Sequence, residues 1–179
     1  QPLPGFKSYL AEFRNKYARH VEQERLTVGV TTQYEPFSWW SNKLTVGLDR
    51  REQVNENSNQ IDQTGGVLYS AKDAGGAVYI ETDKVWLWTV DYGATLTHDL
   101  TENYTSAFSA GMQMTRRRRD TYEISGSGFV ANSLNLVGAA AIRDADQDFS
   151  EQTSLGLYVQ EQVGWKNRLF ATAAVRVDV

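Results

Sequence analysis

A row of alternating aspartates is the first feature of this sequence that suggests chemistry. Asp144, Asp146 and Asp148 have the spacing with which a calcium-binding EF-hand loop begins. The glycine that such a loop needs is replaced by Phe149, and Leu155 stands where the bidentate glutamate should be. The sequence therefore does not predict an EF-hand, and we expect no metal ion at these aspartates.

The strongest cluster of like charge is a run of four arginines, Arg116, Arg117, Arg118 and Arg119. Guanidinium groups bind phosphate and carboxylate oxygens in pairs, so the run could hold a lipopolysaccharide phosphate or an anionic substrate at the base of a loop. The alternative is a solvated strand end, which is the more common role of a charge run. The sequence favours this alternative without excluding the anion site.

No group of residues in the sequence is typical of a catalytic site. The chain has no Cys, which excludes thiol nucleophiles, disulfides and cysteine-type zinc sites. Its two histidines, His20 and His98, lack metal-ligand spacing, and nothing places two carboxylates across a cleft. We therefore predict no catalytic residues, no cofactor and no enzymatic activity.

Composition narrows the class of protein further. The chain has 179 residues and a formal net charge of -4, and this mildly acidic balance argues against a nucleic-acid partner. No apolar run approaches the 18 or so residues that a membrane-spanning helix requires. Any membrane role would therefore depend on strands.

Apolar and polar residues alternate with a period of two, which predicts β-strands. The alternation occurs in six segments that form three hairpins with short turns: 26–34 with 44–49, 86–97 with 104–115, and 155–163 with 169–178. We expect an all-β fold, an antiparallel up-and-down meander of about six long strands. Long polar loops are predicted at about 50–83 and 116–147, separating the hairpins.

The first 25 residues have a different pattern. Tyr9, Phe13, Tyr17 and Val21 recur every four residues, which would place them on one side of a helix. We expect a short helix or ordered loop at 1–25, followed by the β-region at 26–179.

Short turns at one end and long loops at the other are typical of an outer-membrane barrel. The face opposite the apolar one carries Thr, Ser, Gly, Gln and Asp, which suits a hydrated interior. We predict lipid-facing side chains at Val28, Val30, Val46, Val90, Phe108, Met112, Leu155, Leu157 and Val159. Aromatic residues at strand ends predict the membrane interfaces: Tyr34, Phe37, Trp39, Trp40, Trp86, Trp88, Tyr104 and Trp165.

The third hairpin also carries a family resemblance. The run from Ser154 to Trp165 (SLGLYVQEQVGW), followed by Arg168-Leu169-Phe170 and Arg176-Val177-Asp178, resembles a mid-barrel hairpin of SusC/RagA-like TonB-dependent outer-membrane receptors. The segments YEPFSW from Tyr34 and WTVDY from Trp88 are similar to other strands of this family. The resemblance runs from about Leu26 to Val179, and the third hairpin is its most specific part.

The resemblance implies energised nutrient import across the cell outer membrane of a Gram-negative bacterium. The implied cargo is an oligosaccharide, a peptide or a similar nutrient. The implied partners are the remainder of the barrel and its plug, a SusD-like lipoprotein, TonB acting through the plug, and the outer-membrane lipid.

Strand count indicates that the chain is part of a larger barrel. Six strands are fewer than the eight of the smallest single-chain outer-membrane barrels. We therefore expect an open sheet, a fragment that cannot transport alone. The alternative is a soluble antiparallel β-sheet module that binds a ligand and buries its apolar face in a dry core.

Overall fold

Six long strands form where the sequence alternates, and they lie side by side in chain order. The computed structural model describes residues 17–61 and 75–179. Its strands are β1 Tyr17–Phe37, β2 Trp40–Asn59, β3 Ala77–Thr101, β4 Tyr104–Ser127, β5 Ile142–Trp165 and β6 Leu169–Asp178. They form one antiparallel sheet of order β1-β2-β3-β4-β5-β6, with β1 and β6 at its edges. The expected open meander of six strands is confirmed.

The last hairpin shows how the turns fix the strand register. Trp165 is opposite Leu169, and Gly156 is opposite Asp178. Between the strands, Lys166 and Asn167 have φ angles of 49° and 52°, and the Arg168 N–H donates to the Trp165 carbonyl at 2.9 Å. These two consecutive left-handed residues reverse the chain within the three-residue connection 166–168, so that Leu169 pairs with Trp165.

The N-terminal segment differs from the expected helix or loop. Residues 17–25 belong to β1, and the rest of the segment lies outside the described residues. The four-residue spacing of Tyr17 and Val21 is also an even number, so it places both side chains on one face of a strand as well. The Tyr17 hydroxyl donates to the Asn57 side chain at 2.9 Å, which ties β1 to β2.

The predicted long loops are shorter than expected because the strands continue into polar sequence. Residues 50–59 belong to β2 and 77–83 to β3, while 62–74 lie outside the described residues. Residues 116–127 belong to β4 and 142–147 to β5, with a 3-10 helix at Val137–Ala139 between the two strands. No helix within 17–61 and 75–179 is long and apolar enough to cross a membrane.

The chain divides into two units, each built from parts of several strands. The loop unit comprises 1–24, 51–84 and 119–149, and both long connections belong to it. Its small core contains buried Val78, Phe129 and Ala140, with Ile61, Ile80 and Val137 packed against them. The loop unit thus has a conventional, if small, hydrophobic core.

The hairpin unit comprises 25–50, 85–118 and 150–179 and contains all three short turns. Among its residues, Val85 is the one buried hydrophobic side chain. Its apolar residues are therefore not gathered into a core of their own.

Candidate apolar surface and polar groove

The apolar residues of the hairpin unit form an exposed surface. Phe108 is 42% exposed, Met112 36% and Leu157 53%, and Val90 is half-buried. The other residues predicted to face lipid are also exposed: Val28, Val30, Val46, Leu155 and Val159. A soluble module would bury this set in a dry centre. The hairpin unit instead leaves it open to the surroundings.

Exposure alternates along the middle of β4 in the same way as the sequence does. On β4, the even-numbered Phe108, Met112 and Met114 are exposed, whereas the intervening Ser109 and Gln113 are half-buried. Side chains of odd and even number point to opposite faces of a strand. On β4, the apolar face is therefore the more open one.

Two polar pairs interrupt the apolar face. The Ser106 hydroxyl donates to the Glu161 carboxylate at 2.5 Å, and the Tyr92 hydroxyl donates to the Asn42 side chain at 2.9 Å. By strand parity, Glu161 shares a face with Leu157 and Val159. These four polar groups thus each have a partner in a neighbouring strand, which reduces the cost of placing them in an apolar medium.

Six of the eight predicted interface aromatics lie near the short turns, and Trp86 and Trp88 lie farther along β3. Phe37 stacks on Trp39 with ring centroids 5.2 Å apart, and Trp40 stacks on Trp39 at 6.2 Å. Tyr104 begins β4 directly after the second turn, and Trp165 ends β5 directly before the third. Tyr34, Phe37, Trp39, Trp88, Tyr104 and Trp165 are exposed, and Trp40 and Trp86 are half-buried.

The arginine run lies on β4, where Arg116 and Arg119 pair with carboxylates and Arg118 also has a partner. In the hairpin unit, Arg116 is 2.8 Å from Glu151. In the loop unit, Arg119 binds both oxygens of Asp83, at 3.0 and 2.7 Å, and the Thr121 hydroxyl donates to the same carboxylate at 2.8 Å.

These ion pairs bear on the protonation of Asp83 and on the role of the arginine run. Asp83 is only 7% exposed, and the hydrogen bonds from Arg119 hold the pKa of its carboxyl below the usual value. Pairing within the sheet favours the strand-end interpretation for Arg116 and Arg119 over an anion site.

The alternating aspartates also lie on a strand. Asp144, Asp146 and Asp148 are exposed residues of β5, and each carboxylate accepts from the backbone N–H of the next residue. Their spacing is thus the period of a strand and not that of a calcium loop. In the described parts of the chain, no group of three or more His, Asp or Glu side chains could hold a metal.

A groove lies on the polar face of the hairpin unit, and sequence analysis did not predict it. Its volume is about 480 Å³, within the range of about 300–1,000 Å³ typical of small-ligand sites. Lys43 on β2, Asp91 on β3 and Tyr158 on β5 contribute to its lining, together with Thr45 and Thr95.

One wall of this groove is the Tyr158 side chain, and two glycines leave room for it. A Cβ atom on Gly93 would be 2.8 Å from the Tyr158 hydroxyl oxygen, and one on Gly111 would be 2.6 Å from two carbons of its ring. The Tyr158 side chain therefore reaches over β4 to β3 because these two positions have no side chain. In sequence, the signal was the presence of Gly93 and Gly111 on the polar face, but it did not reveal which side chain covers them.

Comparison with known proteins identifies the family. The family model described as TonB dependent receptor-like, beta-barrel matches residues 2–179. The chain belongs to this family. A search of curated proteins found no match. The family is one of receptors, not an enzyme class.

Solved structures show the same fold as this TonB-dependent receptor chain. The structure of the RagAB peptide transporter matches with a TM-score of 0.83 at 14% identity, over 94% of this chain and 19% of that chain. The RagAB peptide importer in the closed-closed state matches with a TM-score of 0.81 and in the open-open state with 0.83. Both matches have 14% identity and cover 94% of this chain and 18% of that chain. The predicted resemblance to SusC/RagA-like receptors is confirmed.

Proposed function

We propose that the chain forms six neighbouring strands of an outer-membrane barrel that imports a nutrient in a TonB-dependent manner. The observation that carries this proposal is the exposed apolar face of the hairpin unit, which needs an apolar medium to cover it. Membership of the TonB dependent receptor-like barrel family supports it. The barrel would lie in the outer membrane of a Gram-negative bacterium.

The length of the apolar segments fits a bilayer. A tilted membrane strand needs about 9–11 residues to cross the hydrocarbon. We propose that the crossing segments are 26–34, 40–48, 86–96, 104–114, 155–163 and 169–177. Phe37, Trp39, Tyr104 and Trp165 then lie at one interface, and Trp86 and Trp88 at the other, as aromatic girdles do.

In this arrangement the two edges of the sheet need further strands, and the receptor needs other components. Further strands would pair with the edges of β1 and β6, because unpaired backbone groups in lipid each cost several kcal/mol. The matched RagAB structures are described as a peptide transporter and importer, which supports a peptide as cargo. By family resemblance, a plug, TonB and a SusD-like lipoprotein would complete the system, and an oligosaccharide is the alternative cargo.

Uptake by cells tests the proposal. The full-length receptor that contains these strands is deleted, and growth is measured on peptide mixtures and on oligosaccharides as the limiting nutrient. We expect slower growth on one of these nutrient classes, restored by the wild-type receptor but not in a strain that also lacks TonB. The receptor should be recovered from the outer membrane only with detergent. Recovery as a soluble protein in plain buffer would contradict the proposal and support the ligand-binding module.

A further inference from the structure

Arginines follow the apolar face of the hairpin unit where it ends, away from the short turns. On β4, Arg116 and Arg118 come directly after Met114 and have even numbers like it, so all three share one face. On β2, Arg50 follows Leu48 in the same way. All three arginines are exposed. Cations therefore border the apolar face on two of its strands.

The period of the strand divides the arginine run between two faces. Arg117 lies between Arg116 and Arg118 and so points to the opposite, polar face, together with Gln113 and Thr115. A molecule that contacts the apolar face can therefore reach Arg116 and Arg118 but not Arg117.

An ion pair holds Arg116 at this end of the apolar face. Its Nε and Nη2 atoms lie 3.0 and 2.8 Å from one oxygen, Oε1, of Glu151. Glu151 has the odd number of Leu155, so it lies on the apolar side of β5. A guanidinium has five N–H donors, and this contact uses two of them. Because the Arg116 side chain is 52% exposed, the other donors are accessible to a second acceptor.

The distance of each arginine from Met114 gives its depth. The crossing segment proposed for β4 ends at Met114, and Arg116 and Arg118 are two and four residues beyond it. At a tilt of about 40°, these steps correspond to about 5 and 10 Å along the membrane normal. The headgroup layer extends about 5–8 Å beyond the hydrocarbon on each side. Arg116 is therefore placed within this layer and Arg118 at its outer limit.

Phosphate is the anion that this position favours. In outer-membrane barrels the short turns face the periplasm, so the arginine end of β4 meets the outer leaflet. Lipid phosphates lie in the headgroup layer, and guanidinium groups bind phosphate oxygens in pairs. An anionic cargo inside the barrel would be on the other side of the sheet and would meet Arg117 instead.

We propose that Arg116 and Arg118 form a phosphate clamp for lipopolysaccharide, whose acyl chains lie along the apolar face. Glu151 holds Arg116 in position for this contact. The clamp is consistent with a strand-end role of Arg116, because lipid headgroups then surround this strand end. The inference rests on the membrane position in the proposed function and goes beyond it by naming the lipid group that these two residues bind.

Binding of lipid A with and without its phosphates to the purified full-length receptor tests the clamp. The probes are diphosphoryl lipid A and the same lipid after removal of both phosphates, each titrated in detergent and followed by native mass spectrometry. The wild-type receptor should bind the phosphorylated lipid about tenfold more tightly, the effect of one hydrogen bond to a charged group. Excess inorganic phosphate should not displace this lipid, and displacement would contradict a lipid as the occupant.

The arginine run supplies its own matched control. The double variant Arg116→Gln with Arg118→Gln should lose the preference for the phosphorylated lipid. Arg117→Gln removes the same charge from the same strand on the opposite face and should keep the preference of the wild type. Heat-dependent gel migration confirms that each variant is folded.

The outcomes separate this inference from the proposed function. Equal affinity of the wild-type receptor for the two lipids would overturn the clamp. A loss of preference in Arg117→Gln as large as in the double variant would also overturn it, because net charge alone would then explain the binding. Either result leaves the import function standing if the wild-type receptor supports TonB-dependent uptake. Recovery of the receptor as a soluble protein would overturn the proposed function itself.

Discussion

An arginine placed on either face of β5 distinguishes a lipid-facing surface from a hydrated one. Val159 lies opposite Val175 on the apolar face, and the next residue, Gln160, lies opposite Ala174 on the other face. Val159→Arg and Gln160→Arg therefore introduce the same charge at the same depth on opposite sides of one strand. Leu169→Arg, next to the third turn and opposite Trp165, introduces it at the membrane interface.

The position of Val159 sets the expected magnitude. It precedes Trp165 by six residues, which corresponds to about 20 Å along the strand and about 15 Å along the membrane normal at a tilt of about 40°. This is near the middle of the hydrocarbon, where an outward arginine destabilises a barrel by about 2–4 kcal/mol. We expect about 0–1 kcal/mol for Leu169→Arg at the interface. Gln160→Arg should cost no more than about 0.5 kcal/mol.

Unfolding of the full-length receptor in lipid vesicles measures these differences. Urea titration followed by tryptophan fluorescence gives the free energy of unfolding of each variant relative to wild type. The expected order of destabilisation is Val159→Arg, then Leu169→Arg, then Gln160→Arg. An equal cost for Val159→Arg and Gln160→Arg would refute the assignment of faces. An equal cost for Val159→Arg and Leu169→Arg would refute dependence on depth and indicate a protein core.

Three further experiments test other parts of the structure in the full-length receptor. A fluorophore attached at Phe108→Cys should be quenched by nitroxides on lipid chains, whereas one attached at Ser109→Cys should not. The reverse pattern would show that the polar face contacts lipid. Gly93→Ala should destabilise the receptor by about 1–3 kcal/mol, because the added methyl group would contact the Tyr158 hydroxyl. Adding Tyr158→Phe should restore most of the lost stability. Additive losses in the double variant would contradict the contact. The pKa of Asp83 is lowered in the fold, so its stabilisation is present above its unfolded pKa of about 4 and is lost as pH falls through the folded value. Asp83→Asn should therefore destabilise more at pH 7 than at pH 3 in urea titrations, and an equal loss at both would contradict the ion pair.

The strands of the hairpin unit could be predicted because one face of each is apolar. Where Leu155, Leu157 and Val159 alternate with Gly156 and Tyr158, the period of two is visible in hydropathy alone. The same argument predicted one apolar face, and most of its side chains are exposed in the structure. This argument needs a difference in hydropathy between the two faces of a strand, so it applies only where one face is apolar.

The strand extensions in the loop unit lack that contrast and were interpreted as loops. Both faces of β5 between Ile142 and Asp148 carry charged or polar residues, and β2 ends in a polar run at Asn59. Pairing there depends on contacts between strands, such as the bond from Tyr17 to Asn57 and the ion pair of Lys84 with Glu52 at 3.2 Å. Partners so distant in sequence have no local signature.

The groove was beyond sequence analysis for a related reason. Its lining comes from three hairpins, and its shape depends on side chains that are absent at Gly93 and Gly111. The alternation that makes one face apolar necessarily gathers the polar residues on the other face, so the two surfaces are products of one pattern. If the apolar face contacts lipid, Lys43 and Asp91 are on the opposite face, toward the interior of the barrel. The arginine substitutions on β5 therefore test the assignment of both surfaces.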